Sequence, residues 1–442
     1  MKSLHLNMYK KINYIAAVLL LLTSISVSAQ VTTQSPYSGY GLGNFKGSLL
    51  PQFRAMGGIS TGVFRPGIDN TINIQNPATF SGINFTTVDI AVTGGFTQLK
   101  QATAKEKSFN STLSHVAVAF PILKNKTGLS FGILPYSELG YKFTSKQNID
   151  TNSVNYPHSG EGGLTKAYIG LGQQIGDHFR IGGNVEYLFG NLLETVSTEI
   201  NSFPTVNSKV QNKNSIGGIS FSYGAQYEIQ LTTKSRITLG YSGSSSSTIN
   251  SKRTFVVTQY LKSATGEDEA AFDTVAFIEN NSAKLKLPLI HNFGVSIQKD
   301  NVWMIGADFR TGKWSNYSLE GATPNQQNLQ DSWGASLGGQ ITPDFTSVGS
   351  YFKRVDYRFG LSYDKTYIKL ASGDDVKKMG ISFGLGLPLA PNIARTSFYK
   401  MNVTAELGKM GAINNGNVQE NYIKLHLGFT LNDSWFRRYK LN

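Results

Sequence analysis

The side chains with chemical potential in this sequence are six histidines, many serines and one glycine-spaced arm. His5, His115, His158, His178, His291 and His426 are scattered, with no HExxH run and no close pair of the kind that grips zinc. Cysteine is absent, which removes thiolate ligands and disulfides together. His115 can be drawn with Ser114 or Ser130 as a nucleophile and its base, as ester hydrolysis requires. Serine is too frequent here for that spacing to select anything. Gly39-Tyr40-Gly41-Leu42-Gly43 has the glycine rhythm of a phosphate loop but lacks a preceding strand and a placed lysine. The reading is a non-enzyme with no catalytic residue, no metal and no cofactor.

A second set of residues is more regular. Asp89, Glu186, Asp308, Arg310, Asp356, Arg358, Glu406, Lys424 and His426 each alternate with apolar or aromatic neighbours. In GNVEYLF, Val185, Tyr187 and Phe189 oppose Asn184, Glu186 and Leu188; in WMIGADFR, Ile305 and Phe309 oppose Asp308 and Arg310. In VDYRFGLS, Tyr357 and Phe359 oppose Asp356 and Arg358; near the C-terminus Ile423, Leu425, Leu427 and Phe429 oppose Lys424, His426 and Gly428. A period of two is a strand with unlike faces. One face is apolar and the other carries charge and glycine. In a soluble sandwich the apolar face is core; in a membrane barrel it meets lipid while the polar face lines a lumen, where charges pair across strands and hold a plug.

Spacing separates the two. Fourteen such segments follow one another, at 84–97, 112–122, 127–146, 163–175, 178–189, 214–230, 235–247, 284–299, 302–311, 331–341, 350–362, 379–389, 398–410 and 419–431. Tight turns at Lys124–Lys126, Gly176-Asp177, Thr232–Lys234 and Asp300-Asn301 alternate with long polar connections at 98–111, 147–162, 190–213, 248–283 and 312–330. An even strand count with short turns on one side and long loops on the other is the arrangement of an outer-membrane barrel. The expected fold is therefore all-β: a transmembrane antiparallel barrel over 84–431. Pro135, in mid-strand, cannot donate to a ladder and marks either a break in the third strand or two short strands joined at Pro135-Tyr136.

The ends fit an exported protein. Lys2, Lys10 and Lys11 precede an apolar run from Ile15 to Leu22 and the small residues Val27-Ser28-Ala29, which reads as a signal peptide over 1–29. The 442-residue chain carries +13, or +10 without those lysines, spread without basic runs, so nucleic acid is excluded as a partner and envelope lipid is implied. Forty-six glycines and 47 Tyr plus Phe against 13 prolines favour a large barrel over a disordered chain. Trp435-Phe436-Arg437-Arg438 in the 432–442 tail reads as an anchor at the headgroup level.

Between leader and barrel, the 30–83 arm contains Arg54-Ala55-Met56-Gly57-Gly58 and, about twenty residues on, Asn76-Pro77-Ala78. With the fourteen strands and the broken third one, this resembles the FadL family of outer-membrane long-chain fatty acid transporters. The resemblance implies an N-terminal hatch built on Gly57, Gly58, Asn76, Pro77 and Ala78, and a lateral opening at Pro135. It also implies passage of hydrophobic small molecules through the outer membrane of a Gram-negative-type bacterium. FadL-like barrels that dock a secreted or surface protein supply the alternative, in which another envelope protein is the partner.

Overall fold

The computed structural model describes residues 35–67, 70–102, 104–149, 152–200, 205–263, 265–322, 329–389 and 397–434. The leader and Trp435–Arg438 lie outside them. Among the described residues fourteen strands close into one antiparallel barrel. They are β1 (Thr86–Gln101), β2 (Ala104–Leu123), β3 (Thr127–Ile149), β4 (Asn152–Ile175), β5 (Phe179–Ile200), β6 (Asn207–Thr232) and β7 (Ser235–Ser244). The second half comprises β8 (Ile290–Lys299), β9 (Trp303–Gly312), β10 (Ser332–Ile341), β11 (Asp356–Lys369), β12 (Asp375–Pro388), β13 (Phe398–Gly411) and β14 (Gln419–Asp433). Closure is made where β14 pairs with β1, from Gln419↔Lys100 to Asp433↔Thr86.

The two faces follow the alternation read from the sequence. On β14, Ile423, Leu425, Leu427 and Phe429 are 37–53% exposed while His426 is 3% exposed. Ile90, Val185, Tyr187, Ile305 and Phe359 continue this outward apolar band around the wall, and Asp89, Glu186, Asp308 and Arg358 are buried inside. Outward apolar surface on this scale is stable only against lipid, and a closed wall leaves no unpaired edge there. The barrel spans a membrane with its strands; among the described residues no helix is long and apolar enough to do so.

The polar connections differ from the sequence expectation. Stretches 98–111 and 147–162 are mostly ladder: β1 runs to Gln101 and β2 starts at Ala104, while β3 runs to Ile149 and β4 starts at Asn152. Much of 190–213 likewise belongs to β5 and β6, and β3 to β6 have 22 to 26 residues each. A membrane needs only about 9–11 residues per strand. The excess stands in water, where both faces are wet and apolar alternation is no longer required, so Asn, Ser and Thr disguise strand as loop. The 248–283 region is also a hairpin, Thr248–Tyr260 against Asp273–Lys286, and its first arm pairs with the upper half of β6 in place of β7.

The strict alternation of short and long connections does not hold: β1–β2 and β3–β4 at one end are joined by two residues each, and the opposite end is not uniformly short. Between β10 and β11, on the end that carries the tight turns, residues 342–355 form a long ordered connection. The end with tight turns is called the turn end below, and the opposite one the loop end.

Candidate functional site

Residues 35–67 and 70–83 lie inside the ring of strands. Their contacts reach the wall on opposite sides: Thr61 N–H donates to Asp308 Oδ2 of β9 at 2.8 Å, Gln226 of β6 donates to Thr61 O at 2.9 Å, and Thr404 of β13 donates to Pro51 O at 2.8 Å. The segment is mostly irregular, with a helical turn at Pro51–Arg54 and a 3-10 turn at Pro77–Gly82. Phe53, Met56, Ile59, Ile72, Ile74 and Phe80 form a small apolar core shared with the wall residues Ala117, Leu134 and Tyr168.

The residues singled out in this arm are at its tightest points. Gly57 and Gly58 have φ of +71° and +90°, a conformation a side chain resists. Asn76 is fully buried and caps the turn that Pro77 opens, accepting from Ala78 N–H at 3.2 Å while its Nδ2 donates to Thr61 O at 2.8 Å.

The wall is cut to receive this segment by inward-facing glycines. A Cβ on Gly128 would lie 2.0 Å from Phe80 O, on Gly224 2.0 Å from Asn76 Oδ1, on Gly240 1.9 Å from Thr61 O, and on Gly360 1.9 Å from Gly57 N. These positions come from β3, β6, β7 and β11, so the seat runs round much of the circumference. Glycine recurring on the polar face was the available signal. Its meaning depended on knowing what lay opposite.

The inward charges separate into two kinds. Asp308 holds the segment, accepting from the N–H groups of Ser60 and Thr61. Asp89 receives Gln52 at 3.5 Å, Thr430 at 2.7 Å and His115 Nε2 at 2.7 Å. Lys166 links Glu186 at 3.0 Å to Ser48 at 2.9 Å, and Glu406 lies 3.7 Å from Arg54 and 3.5 Å from His426. Others pair within the wall: Arg358 with Asp356, Gln340 and Asn402, and Arg310 with Asp364 and Ser336. Lys424 and Lys378 flank the Tyr422 ring at 4.9 and 5.5 Å.

Ser114 is the extra residue of a bulge opposite Ala91-Val92, so both it and His115 approach the lumen, with Ser114 Oγ 3.3 Å from His115 Nδ1. Because Asp89 spends its other contacts on Thr430 and Gln52, this chain ties β1, β2, β14 and the inner segment together. Ser130 bonds to Val118 O and Tyr168 instead. Among the described residues no three His, Cys, Asp or Glu side chains converge as a metal site requires.

Replacing Asp308 by Ala leaves two buried N–H groups without an acceptor, at about 1–3 kcal/mol each. The expected outcome is faster amide exchange in the peptide around Ser60 and Thr61, read by hydrogen-exchange mass spectrometry, with the barrel strands unchanged.

At Pro135 the wall parts. β3 is one continuous strand, so the reading of two short strands joined at Pro135-Tyr136 does not hold. Pairing of β2 with β3 runs from Leu123↔Thr127 to Val116↔Ile133 and ends there, whereas β3 stays paired with β4 up to Ile149↔Asn152, with a bulge at Pro135/Ser137. Above Ile133 the edge of β3 is taken by the inner segment: Asn44 and Phe45 pair with Glu138 and Ser137, Lys46 N–H donates to Tyr136 O at 3.0 Å and Ser35 N–H to Gly140 O at 3.1 Å. Across the separation, Asn110 of β2 donates to Glu138 at 3.1 Å, and Glu138 also pairs with Lys46.

A cavity of about 420 Å³ lies in the lumen against this place. Its lining includes Asn110, Thr112 and Leu113 from β2 and Leu134, Pro135 and Tyr136 from β3. Towards the loop end it meets Phe45, Trp314 and Tyr367; Trp314 stacks on Tyr367 at 4.1 Å, and Phe45 sits edge-on to Tyr136 at 4.8 Å. Leu164, Leu188, Leu192, Ile249, Leu285 and Leu319 extend this aromatic group into a buried apolar cluster. Ile249, Leu285 and Leu319 fall in or beside stretches read as polar connections. Single apolar residues every second position in a wet hairpin are easily passed over. Phe272 and Phe277, the apolar residues that stand out there, are exposed. Tyr37, at the cavity rim, donates to Val418 O, and burial pushes its phenol well above the usual range, keeping it a donor.

A closed fourteen-stranded membrane barrel whose N-terminal segment occupies the lumen is the class of protein these features define. The sequence matches the BamG family model over residues 8–442, and the chain belongs to that family. Among curated proteins none matches it. Solved structures share the fold. The Ralstonia pickettii toluene transporter TbuX is 14% identical, with TM-score 0.55 over 88% of this chain and 99% of its own. The Pseudomonas putida toluene transporter TodX is 16% identical, with TM-score 0.52 over 90% and 99%. A Pseudomonas aeruginosa FadL homologue is 13% identical, with TM-score 0.50 over 91% and 98%. The FadL resemblance seen in the sequence is thus a likeness of fold.

Proposed function

We propose that this protein is an outer-membrane conduit for hydrophobic small molecules, with residues 35–83 as its plug and the β2–β3 separation as its exit into lipid. The observation that carries this reading is that one cavity is lined by both strands at the point where their pairing ends, Asn110–Leu113 on one side and Leu134–Tyr136 on the other. A plugged lumen resists polar solutes, while an apolar solute held against Leu113, Pro135, Tyr136 and Phe45 gains by leaving sideways into hydrocarbon. TbuX and TodX, which share this fold, are toluene transporters, and a solute of this class suits the cavity. The turn end, where β1 begins, is then periplasmic, and the loop end is outside.

The exit is testable because the chain has no cysteine. Asn110→Cys and Glu138→Cys joined by a cleavable bis-maleimide close the separation covalently. Uptake of a hydrophobic tracer into proteoliposomes is expected to fall on the order of tenfold, as for removal of a productive route worth about 1.4 kcal/mol, and to return on cleavage. Uptake indifferent to the cross-link would exclude this exit.

A further inference from the structure

The 342–355 connection is out of place by length and by composition. Four of the other turn-end connections, β2–β3, β4–β5, β6–β7 and β8–β9, have only two or three residues. Here Val348 is 97% exposed and Phe352 72%, with Phe345 and Tyr351 also exposed. The connection is nonetheless built. Asp344 N–H donates to Lys353 O at 2.8 Å, Thr346 donates to Asp344 through both its N–H and its hydroxyl, and Phe352–Arg354 form a 3-10 turn.

We propose that this connection lies on the membrane surface at the turn end and inserts Val348 and Phe352 into the adjacent leaflet. Its position favours lipid as the occupant. Tyr357 belongs to the outward column that continues into Phe359 and Leu361, and its hydroxyl donates to Phe352 O at 3.1 Å. The 3-10 turn is therefore tied to the lipid side of the wall. The exposed apolar residues prolong the band that ends at Ile341 on β10 and Tyr357 on β11. Charge agrees: Lys353 and Arg354 follow directly, and the Arg354 guanidinium lies 5.5 Å from the Tyr351 ring centre. An aromatic ring with a cation beside it suits the level of anionic headgroups, and flanking apolar side chains suit the acyl boundary just below. The inference rests on the membrane-spanning barrel and is independent of transport.

The absence of cysteine allows a single-site test in the full chain. Val348→Cys, Leu337→Cys in mid-band and Lys124→Cys in a tight turn at the same end are each labelled with an environment-sensitive fluorophore. They are reconstituted in phosphatidylethanolamine–phosphatidylglycerol vesicles, with heat-modifiable gel mobility as the check on folding. At Val348 the emission is expected to shift to the blue, and shallow doxyl-lipid quenching to exceed that at Lys124 several-fold. Quenching by aqueous iodide, as at Lys124, overturns the proposal. Protection from both quenchers overturns it too, by showing the face covered by protein. Failure of doxyl quenching at Leu337 would remove the membrane reading itself, so the two failures are distinguishable.

Discussion

Deleting residues 35–81 is expected to turn this protein into an open pore in planar bilayers. The ladder that closes the barrel does not pass through the deleted segment: β14 pairs with β1 and each later neighbour with the next, apart from the upper β2–β3 separation. The wall therefore survives, while its inner face loses the atoms that fill it. Asp308, Thr404 and Gln226 exchange their contacts in the segment for water, and the seats at Gly128, Gly224, Gly240 and Gly360 become empty space. Barrels of slightly larger strand number hold aqueous channels, so single-channel conductance should rise on the order of tenfold over the intact protein. Unchanged conductance, with heat-modifiable mobility retained, would mean that the segment does not obstruct the lumen.

The second large effect comes from filling one seat. Valine at Gly360 needs room where its Cβ alone would lie 1.9 Å from Gly57 N and 2.1 Å from Met56 C. Neither atom belongs to a side chain that can turn aside. Gly57 is itself at positive φ, pressed within 2.6 Å of Leu361 O by the same measure, so it has no slack to give. Gly360→Val should displace the Arg54–Gly58 turn at a cost of about 1–3 kcal/mol, the usual range for overpacking. The displacement should make the segment cleavable by trypsin at Arg54 in the folded barrel and raise basal conductance. Val at outward-facing Ala307 serves as the control. Trypsin resistance equal to wild type would show that the seat is not tight.

These expectations draw on information of two kinds. Which residue faces which way was legible strand by strand, because lipid on one side and lumen on the other impose a period of two wherever the strand crosses the membrane. Asp89, Glu186, Asp308 and Arg358 are inside for that reason, and their outward neighbours Ile90, Tyr187, Phe309 and Phe359 are out. Pro135 drew attention through its missing donor; in the structure the pairing of β3 with β2 ends at Ile133, and Pro135 lies at a bulge against β4. Where that constraint ends, so did legibility: the wet upper halves of β3 to β6 carry no lipid face, and their polar composition looked like loop.

The sequence by itself determined a fourteen-stranded wall, its two faces, a compact glycine-containing segment ahead of the first strand and a proline in the third that cannot donate to a ladder. Each of these is written locally, in alternation, turn chemistry or a single proline. Only the tertiary structure decided what meets across the lumen. Gly360 faces Gly57, Gly224 faces Asn76, and Asp308 reaches two amides of the inner segment. It also decided that the edge of β3 freed above Ile133 is occupied by Asn44-Phe45 rather than left open. Such contacts join residues some ninety to three hundred positions apart, and they exist only once closure has set the stagger of every strand against the next.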